Sequence, residues 1–174
     1  EEAANLGVPE SDYQYYLIDD AANRLLNPPA GGVALALMNF EGDVWSDLVA
    51  GGYGSLALMT SVLVSPSGAE EFEAAHGTVT AHYRRHQRGE ETSTNPVALI
   101  FAWSGALRRC GFKSDQSELE IFARDLEHAT RSTIGAGTMT ADLIKLSDHP
   151  EKRQVTTREF IAAVAARLEE IRSR

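Results

Sequence analysis

The segment from Asn95 to about Arg109 constrains the fold most, because it predicts a helix that is apolar on nearly every side. Asn95 followed by Pro96 is typical of a helix start, since Asn caps the first backbone N–H groups and Pro fits the first helical position. The apolar positions that follow cover most of the helix circumference: Val97, Leu99, Ile100, Phe101, Trp103 and Leu107. Such a helix is stable inside a core. We therefore expect other elements to pack around this helix. We also expect the helix to end just before Gly111.

Composition places the chain among ordinary globular proteins. It has 174 residues, of which 43% are apolar and 24% charged, so disorder is excluded and a working core is expected. A single Cys excludes a disulfide framework and a cysteine zinc site, and it favours a reducing, cytoplasmic compartment. The net charge of −9 argues against nucleic-acid binding. No apolar run approaches the roughly 20 residues that span a bilayer, so we expect no membrane partner.

Hydrophobic periodicity and turn residues predict the remaining elements. Before Asn95 they predict a helix over 12–27 that Asp12 can cap, a buried strand over 33–38, a short helix over 44–50 and a second buried strand over 58–64. They also predict a turn at 65–68, a strand over 72–75 and a long polar loop over 77–91 with one helical turn. After Arg109 they predict helices over 118–134, from Thr140 to Leu146, and from a Thr156–Glu159 capping box to about Ile171. Strands precede helices without a closed βαβ alternation, so the fold class is α/β or α+β with sheet partners missing.

Three aspartates form a candidate metal site. Asp43 and Asp47 are four residues apart and would share one face of a helix, where they repel each other unless a cation lies between them. Asp19 lies near the edge of the apolar stripe of its own helix. Together they could supply the oxygen ligands that Mg²⁺ or Mn²⁺ prefers. The alternative is that Asp43 only caps its helix and Asp47 is solvated.

Two loops carry groups that suit a nucleotide. His76 and Gly77 end a strand and precede two threonines, which fits a phosphate or ribose site but equally a hairpin turn. Hydroxyl and amide side chains at 92–95 precede the buried helix and could bind an anion or the edge of adenine. The glycines at 52 and 54 follow a helix and precede a strand, which is the reverse of a dinucleotide-binding fingerprint.

Several motifs together resemble one family, in order and spacing. They are LIDD at 17–20, GDV at 42–44 with Ser46 and Asp47, GYGSL at 52–56, EAAHGTVT at 73–80, ETSTNP at 91–96 and FAW at 101–103. In this order they look like the C-terminal part of homodimeric, eukaryotic-type isocitrate dehydrogenase, which is usually NADP-dependent. The resemblance implies an incomplete isocitrate/isopropylmalate dehydrogenase-like fold. Residues 1–52 would belong to the small, dimer-forming substrate and metal domain, and 53–174 to the large cofactor domain.

The resemblance also implies the chemistry. The family oxidises isocitrate, passes hydride to NAD(P)⁺ and releases 2-oxoglutarate, a reaction of the tricarboxylic acid cycle, with Mg²⁺ or Mn²⁺ on the substrate. Asp43 and Asp47 match metal ligands of one subunit, and Asp19 matches the ligand from the other. The matching cofactor contacts are Glu73, His76, Gly77, Thr78, Val79, Thr80, His82, Thr94, Asn95 and Asp142.

Three positions depart from the NADP-dependent members of that family. They usually carry Arg before His82 and Lys before Asp142, where this chain has Ala81 and Ala141, and another family Lys falls near Asn27. A 2′-phosphate favours such cations, so NAD becomes an alternative to NADP. Nearby arginines could compensate: Arg24, Arg84 or Arg85.

The family's substrate arginines and its catalytic Tyr and Lys match no position of this sequence and are expected upstream of it. We therefore expect the 174-residue chain, which begins with Glu1, to be part of a longer protein and inactive alone. In a eukaryote the mitochondrial matrix is an alternative compartment. The alternative function is a non-catalytic nucleotide-binding or dimerisation module related to the family.

Overall fold

A computed structural model describes residues 13–28, 30, 33–52, 54–77 and 79–173. The chain forms two compact units, residues 1–49 and 50–174. Among the described residues, no helix is long and apolar enough to cross a membrane.

The first unit contains helix α1, Ile18–Leu26, and most of helix α2, Asn39–Gly52. The predicted start of α1 is too early: Leu17 is extended, and the helix begins where Asp19 and Asp20 can occupy its positively polarised first turn. Asp12 lies outside the described residues. Helix α2 is longer than the predicted 44–50, because residues from Asn39 onwards are already helical.

The predicted strand over 33–38 is wrong for the described chain, since these residues have no regular structure. A strand needs a neighbour to satisfy its backbone groups. Both strand pairs among the described residues are formed by other segments. The side chains of Val33 and Leu35 are consequently exposed.

The sequence correctly predicts two strands separated by a turn at 65–68, and in the second unit these strands pair as a hairpin. The prediction that the first strand is buried is wrong, because the two-stranded sheet leaves four of its five residues exposed. Strand β1, Thr60–Val64, pairs antiparallel with strand β2, Glu70–Ala74, in a register that places Val62 opposite Phe72. In the connecting turn, the Gly68 N–H donates to the Ser65 carbonyl at 2.9 Å. A short 3₁₀ turn, Leu56–Leu58, leads into β1, where the sequence predicts strand.

Helix α3, Thr80–Gln87, occupies most of the segment that the sequence predicts as a polar loop. The single helical turn predicted there is too short, because the prediction depends on apolar periodicity and α3 buries no residue that could provide it. Basic side chains in its last turn favour the helix through the negative end of the helix dipole.

Helix α4, Val97–Lys113, packs on β2 and on helix α5, Ser117–Gly135. The prediction that α4 is buried on nearly all sides is wrong: Val97, Ala98 and Ala102 are buried, whereas Leu99 and Trp103 are exposed by 55% and 62%. The hairpin and α5 cover only part of its circumference. The helix also continues past Gly111 to Lys113, and α5 begins so close to this glycine that no larger side chain fits there.

Two short parallel strands hold the C-terminal part together. Strand β3, Thr138–Met139, pairs with strand β4, Arg153–Gln154, and a 3₁₀ turn, Leu143–Lys145, stands where the sequence predicts a helix from Thr140 to Leu146. Gly137 precedes β3 at a φ of +86°, a conformation that favours glycine.

Helix α6, Thr157–Arg172, begins at the predicted capping box, in which Thr156 and Glu159 satisfy each other's backbone N–H groups. This helix completes the core of the second unit. The buried core residues come from α4, α5, α6 and the β3–β4 region: Val97, Ala129, Met139, Leu143, Val155, Phe160 and Val164.

Candidate functional site

The predicted metal ligands Asp43 and Asp47 lie one helical turn apart on α2, so their carboxylates share a face. Both side chains are exposed and present hard oxygen donors, which fits a hydrated divalent cation. The alternative that Asp43 caps the helix is wrong, because α2 begins four residues earlier, at Asn39.

Asp19, the third predicted ligand, lies in the first turn of α1 and is exposed. Its neighbour Asp20 forms an ion pair with Arg24 at 3.1 Å. Within the described residues, no three His, Cys, Asp or Glu side chains are grouped closely enough to hold a metal. The shared set of Asp19, Asp43 and Asp47 therefore stays a prediction, in which Asp19 comes from a second copy of the chain.

The predicted ribose and phosphate loop follows β2. The Glu73 carboxylate accepts a hydrogen bond from the Ser61 hydroxyl at 2.7 Å, and the His76 ring Nδ1 lies 3.1 Å from the Gly77 carbonyl. Val79, directly before α3, has a φ of +48°. This conformation is strained for a β-branched residue, and such strain is concentrated at functional sites. Thr80 is the first residue of α3, and Thr78 lies outside the described residues.

His82 lies in the first turn of α3, and its Nδ1 atom is buried without a hydrogen-bond partner among the described residues. A buried polar atom in this state is rare in a native structure and is consistent with a bound partner. One turn further along, Arg85 pairs with Glu90 at 2.8 Å, and Arg88 pairs with the same carboxylate at 2.7 Å.

Asn95 and Asp142 meet in a hydrogen-bond network. The Asn95 amide donates from Nδ2 to Asp142 Oδ2 at 2.8 Å, and its Oδ1 accepts from the Val97 backbone N–H at 2.9 Å. The Thr140 hydroxyl donates to Asp142 Oδ1 at 2.6 Å, and the Ser55 hydroxyl approaches Oδ2 at 3.4 Å. Two predicted cofactor contacts thus touch each other, and both are only half-buried.

The network keeps Asp142 ionised. Burial raises the pKa of this carboxyl, but hydrogen bonds from Thr140, Asn95 and the backbone favour the charged form more strongly. The net pKa of Asp142 therefore lies below the usual Asp value.

Thr94 is held by a residue that the sequence analysis did not single out. The Thr157 hydroxyl accepts from the Thr94 backbone N–H at 2.8 Å, and the Thr157 N–H donates to the Ser93 hydroxyl at 2.9 Å. Thr157 lies inside the capping box, directly after Thr156, and this position is the only local signal for it. Ser55 and Thr140 belong to the Asp142 network but were likewise not predicted as site residues.

The chain belongs to the isocitrate/isopropylmalate dehydrogenase family, whose model matches residues 1–164.

Within this family the chain is similar to NADP-dependent isocitrate dehydrogenases. It is 50% identical to the mitochondrial enzyme of Aspergillus niger over 159 residues, which are 90% of this chain and 32% of the relative. It is 50% identical to the mitochondrial enzyme of Saccharomyces cerevisiae over 165 residues, and 44% identical to that of Sus scrofa over 167 residues. The chain spans 38% of each of these two relatives. It therefore covers about a third of the length of the relatives it matches.

Proposed function

We propose that the intact protein is an isocitrate dehydrogenase that oxidises isocitrate, transfers hydride to NADP⁺ and releases CO₂ and 2-oxoglutarate. The observation that carries this proposal is the 44–50% identity to NADP-dependent isocitrate dehydrogenases over at least 90% of the chain. The carboxylate pair on α2 and the Asn95–Asp142 network add donor sets that fit a divalent metal and adenine.

In this proposal Asp43 and Asp47 hold Mg²⁺ or Mn²⁺ together with Asp19 of a second copy, so the active form is a homodimer. When bound, the metal polarises the substrate oxygens and stabilises negative charge that develops as CO₂ leaves. Residues 1–52 contribute to the substrate and metal domain, and 53–174 to the cofactor domain. The substrate arginines and the catalytic acid and base would come from outside these 174 residues, so this stretch alone is inactive.

The proposed cofactor is NADP with a weakened preference over NAD. The relatives carry the name isocitrate dehydrogenase (NADP), but Ala81 and Ala141 stand where the family resemblance implies cations. Arg24 is engaged by Asp20 and lies over the Tyr16 ring at 4.1 Å. The remaining cations near the 2′-phosphate would then be Arg84 and Arg85. Arg84 has no ion-pair partner among the described residues, whereas Arg85 already forms an ion pair with Glu90.

Cofactor preference can be tested by restoring the missing cation in the intact protein. Ala81→Arg adds a charge-assisted donor on α3, and Ala81→Gln is the matched control with a long uncharged side chain. We expect Ala81→Arg to lower the KM for NADP⁺ about tenfold without changing that for NAD⁺, since such a hydrogen bond contributes about 1.5–3 kcal/mol. An equal effect of both variants would contradict a role of charge at this position.

The activity itself is tested by incubating the intact protein with isocitrate, Mg²⁺ and NADP⁺ and identifying 2-oxoglutarate by mass spectrometry. Formation of 2-oxoglutarate in step with NADPH is the expected result. Tight NADP⁺ binding without turnover would instead support the nucleotide-binding module. A cytoplasmic location stays a prediction, because relatives carry mitochondrial, peroxisomal and cytoplasmic names.

A further inference from the structure

The polarity of the Asn95 amide is fixed by its two neighbours. The Val97 backbone N–H can only donate, so the atom 2.9 Å from it must be the amide oxygen. The ionised Asp142 carboxylate can only accept, so the atom 2.8 Å from it must be the amide nitrogen. A flipped amide would place two donors against each other at Val97 and two acceptors at Asp142. Asn95 therefore has one stable orientation.

Most of the acceptor capacity of Asp142 is used within the protein. Its carboxylate accepts hydrogen bonds from the side chains of Thr140, Asn95 and Ser55. A carboxylate offers about four lone-pair sites, and these three donors occupy most of them. Asp142 thus serves as the acceptor that orients Asn95.

Thr140 in turn holds Asp142 rigidly. Its side chain is 1% exposed and follows β3, whose backbone is fixed by pairing with β4. The Thr140 hydroxyl donates at 2.6 Å, the shortest hydrogen bond in the network. The orientation of Asn95 is therefore supported by a buried hydroxyl directly after a paired strand.

These two hydrogen bonds leave one N–H and one oxygen lone pair of the Asn95 amide available to a ligand. This is the donor and acceptor pair with which Asn contacts adenine, whose 6-amino group donates and whose neighbouring ring nitrogen accepts. A 6-oxopurine presents an acceptor where adenine presents a donor. If the ribose and phosphates hold the base in one orientation, the amide oxygen of the fixed Asn95 side chain faces the 6-oxo group of the purine. Both oxygens are acceptors, so no hydrogen bond forms between them.

We infer that Thr140, Asp142 and Ser55 are positioning residues that fix the amide polarity of Asn95 and so make the site select 6-aminopurine over 6-oxopurine dinucleotides. The inference rests on the proposed NADP site. It gives Asp142 the role of orienting Asn95, in addition to the cofactor contact that the family resemblance implies.

The test compares the dissociation constants of NADP⁺ and its hypoxanthine analogue, measured by calorimetry on the intact protein. We expect the unmodified protein to prefer the adenine form by roughly 5- to 150-fold, the range for one good bidentate contact. Asp142→Asn replaces the obligatory acceptor by an amide that can also donate, so that the Val97 N–H alone still favours one orientation of Asn95, and should lower this ratio severalfold. The matched control is Asp125→Asn. Asp125 lies on α5 and is paired with Arg172, so its replacement should leave the ratio unchanged.

A second pair of variants keeps the test decisive if Asp142→Asn does not fold. Thr140→Ser retains the buried hydroxyl and should keep the ratio, whereas Thr140→Val removes it and should lower the ratio. An Asp142→Asn variant that weakens both dinucleotides equally would overturn the inference. An unmodified protein that turns over isocitrate but does not distinguish the two bases would overturn it while leaving the proposed function intact. A protein that binds neither dinucleotide would overturn both.

Discussion

Replacing Gly111 by Ala should destabilise the second unit, although alanine is the better helix former. Gly111 lies within α4, where this exchange ordinarily gains about 1 kcal/mol. Here the new Cβ would lie 2.8 Å from Glu120 Cγ, 2.9 Å from the Gln116 carbonyl oxygen and 3.1 Å from the Glu120 backbone nitrogen. Two of these three atoms belong to the backbone, so rotating a side chain cannot relieve the clash.

The clash should outweigh the gain in helix propensity. Inserting a methyl group into such a contact costs about 1–3 kcal/mol. The Gln116 N–H also donates to the Gly111 carbonyl at 2.9 Å, and moving α5 away would weaken this hydrogen bond. Its loss would cost about 1 kcal/mol more. We therefore expect Gly111→Ala to lower the free energy of unfolding by about 1–3 kcal/mol.

Urea denaturation of the intact protein, followed by circular dichroism, measures this change. Gly135→Ala is the matched control, because Gly135 also lies in a helix and an added Cβ there meets no atom within 4 Å. The control should be neutral or stabilising by up to about 1 kcal/mol. If Gly111→Ala were as stable as Gly135→Ala, the close approach of α4 and α5 would be refuted.

Two further predictions concern the core and the network. Phe160 is 0% exposed, so Phe160→Ala should cost about 3–5 kcal/mol in the free energy of unfolding, whereas Ile161→Ala, at a 49% exposed neighbour, should cost far less. Comparable losses would contradict the core. Because the pKa of Asp142 is lower in the folded state, its stabilisation should be complete above about pH 4, the unfolded value, and be lost as pH falls through the folded pKa. As pH falls through this range, the urea midpoint of Asp142→Asn should fall less steeply than that of the unmodified protein. Equal slopes would contradict the link between the ionisation of Asp142 and stability.

Local sequence signals predict the elements whose stabilising contacts are themselves local. The Thr156–Glu159 capping box correctly predicts the start of α6, and the turn residues at 65–68 correctly predict the turn between the two paired strands. The sequence also excludes a dinucleotide-binding fingerprint at residues 52–57, and the structure indeed has α2 before these glycines and β1 after them.

Elements that depend on distant partners were predicted less well. The apolar run at 33–38 has the composition of a strand but forms none, since pairing depends on a neighbouring segment. The exposed Leu99 and Trp103 show the same limit, because periodicity reports which side chains are apolar and not what covers them.

The candidate site shows a similar division. Asn95 and Asp142 were identified through family motifs, but their direct hydrogen bond joins residues 47 positions apart and has no local signature. Ser55 is 87 positions from Asp142, and nothing in its local pattern marks it as a member of the network. Val79 could not be assigned a positive φ from sequence, since β-branched residues rarely adopt it.

The most direct test of the shared metal site mixes two inactive variants of the intact protein. Asp19→Asn and Asp43→Asn should each abolish isocitrate-dependent NADP⁺ reduction in homodimers, because each removes a metal ligand from every site. After the two variants are unfolded and refolded together, each hybrid dimer should contain one site with Asp19, Asp43 and Asp47 all unchanged. The account predicts that Mg²⁺-dependent activity returns in the mixture, and a mixture that forms hybrid dimers yet remains inactive would contradict it.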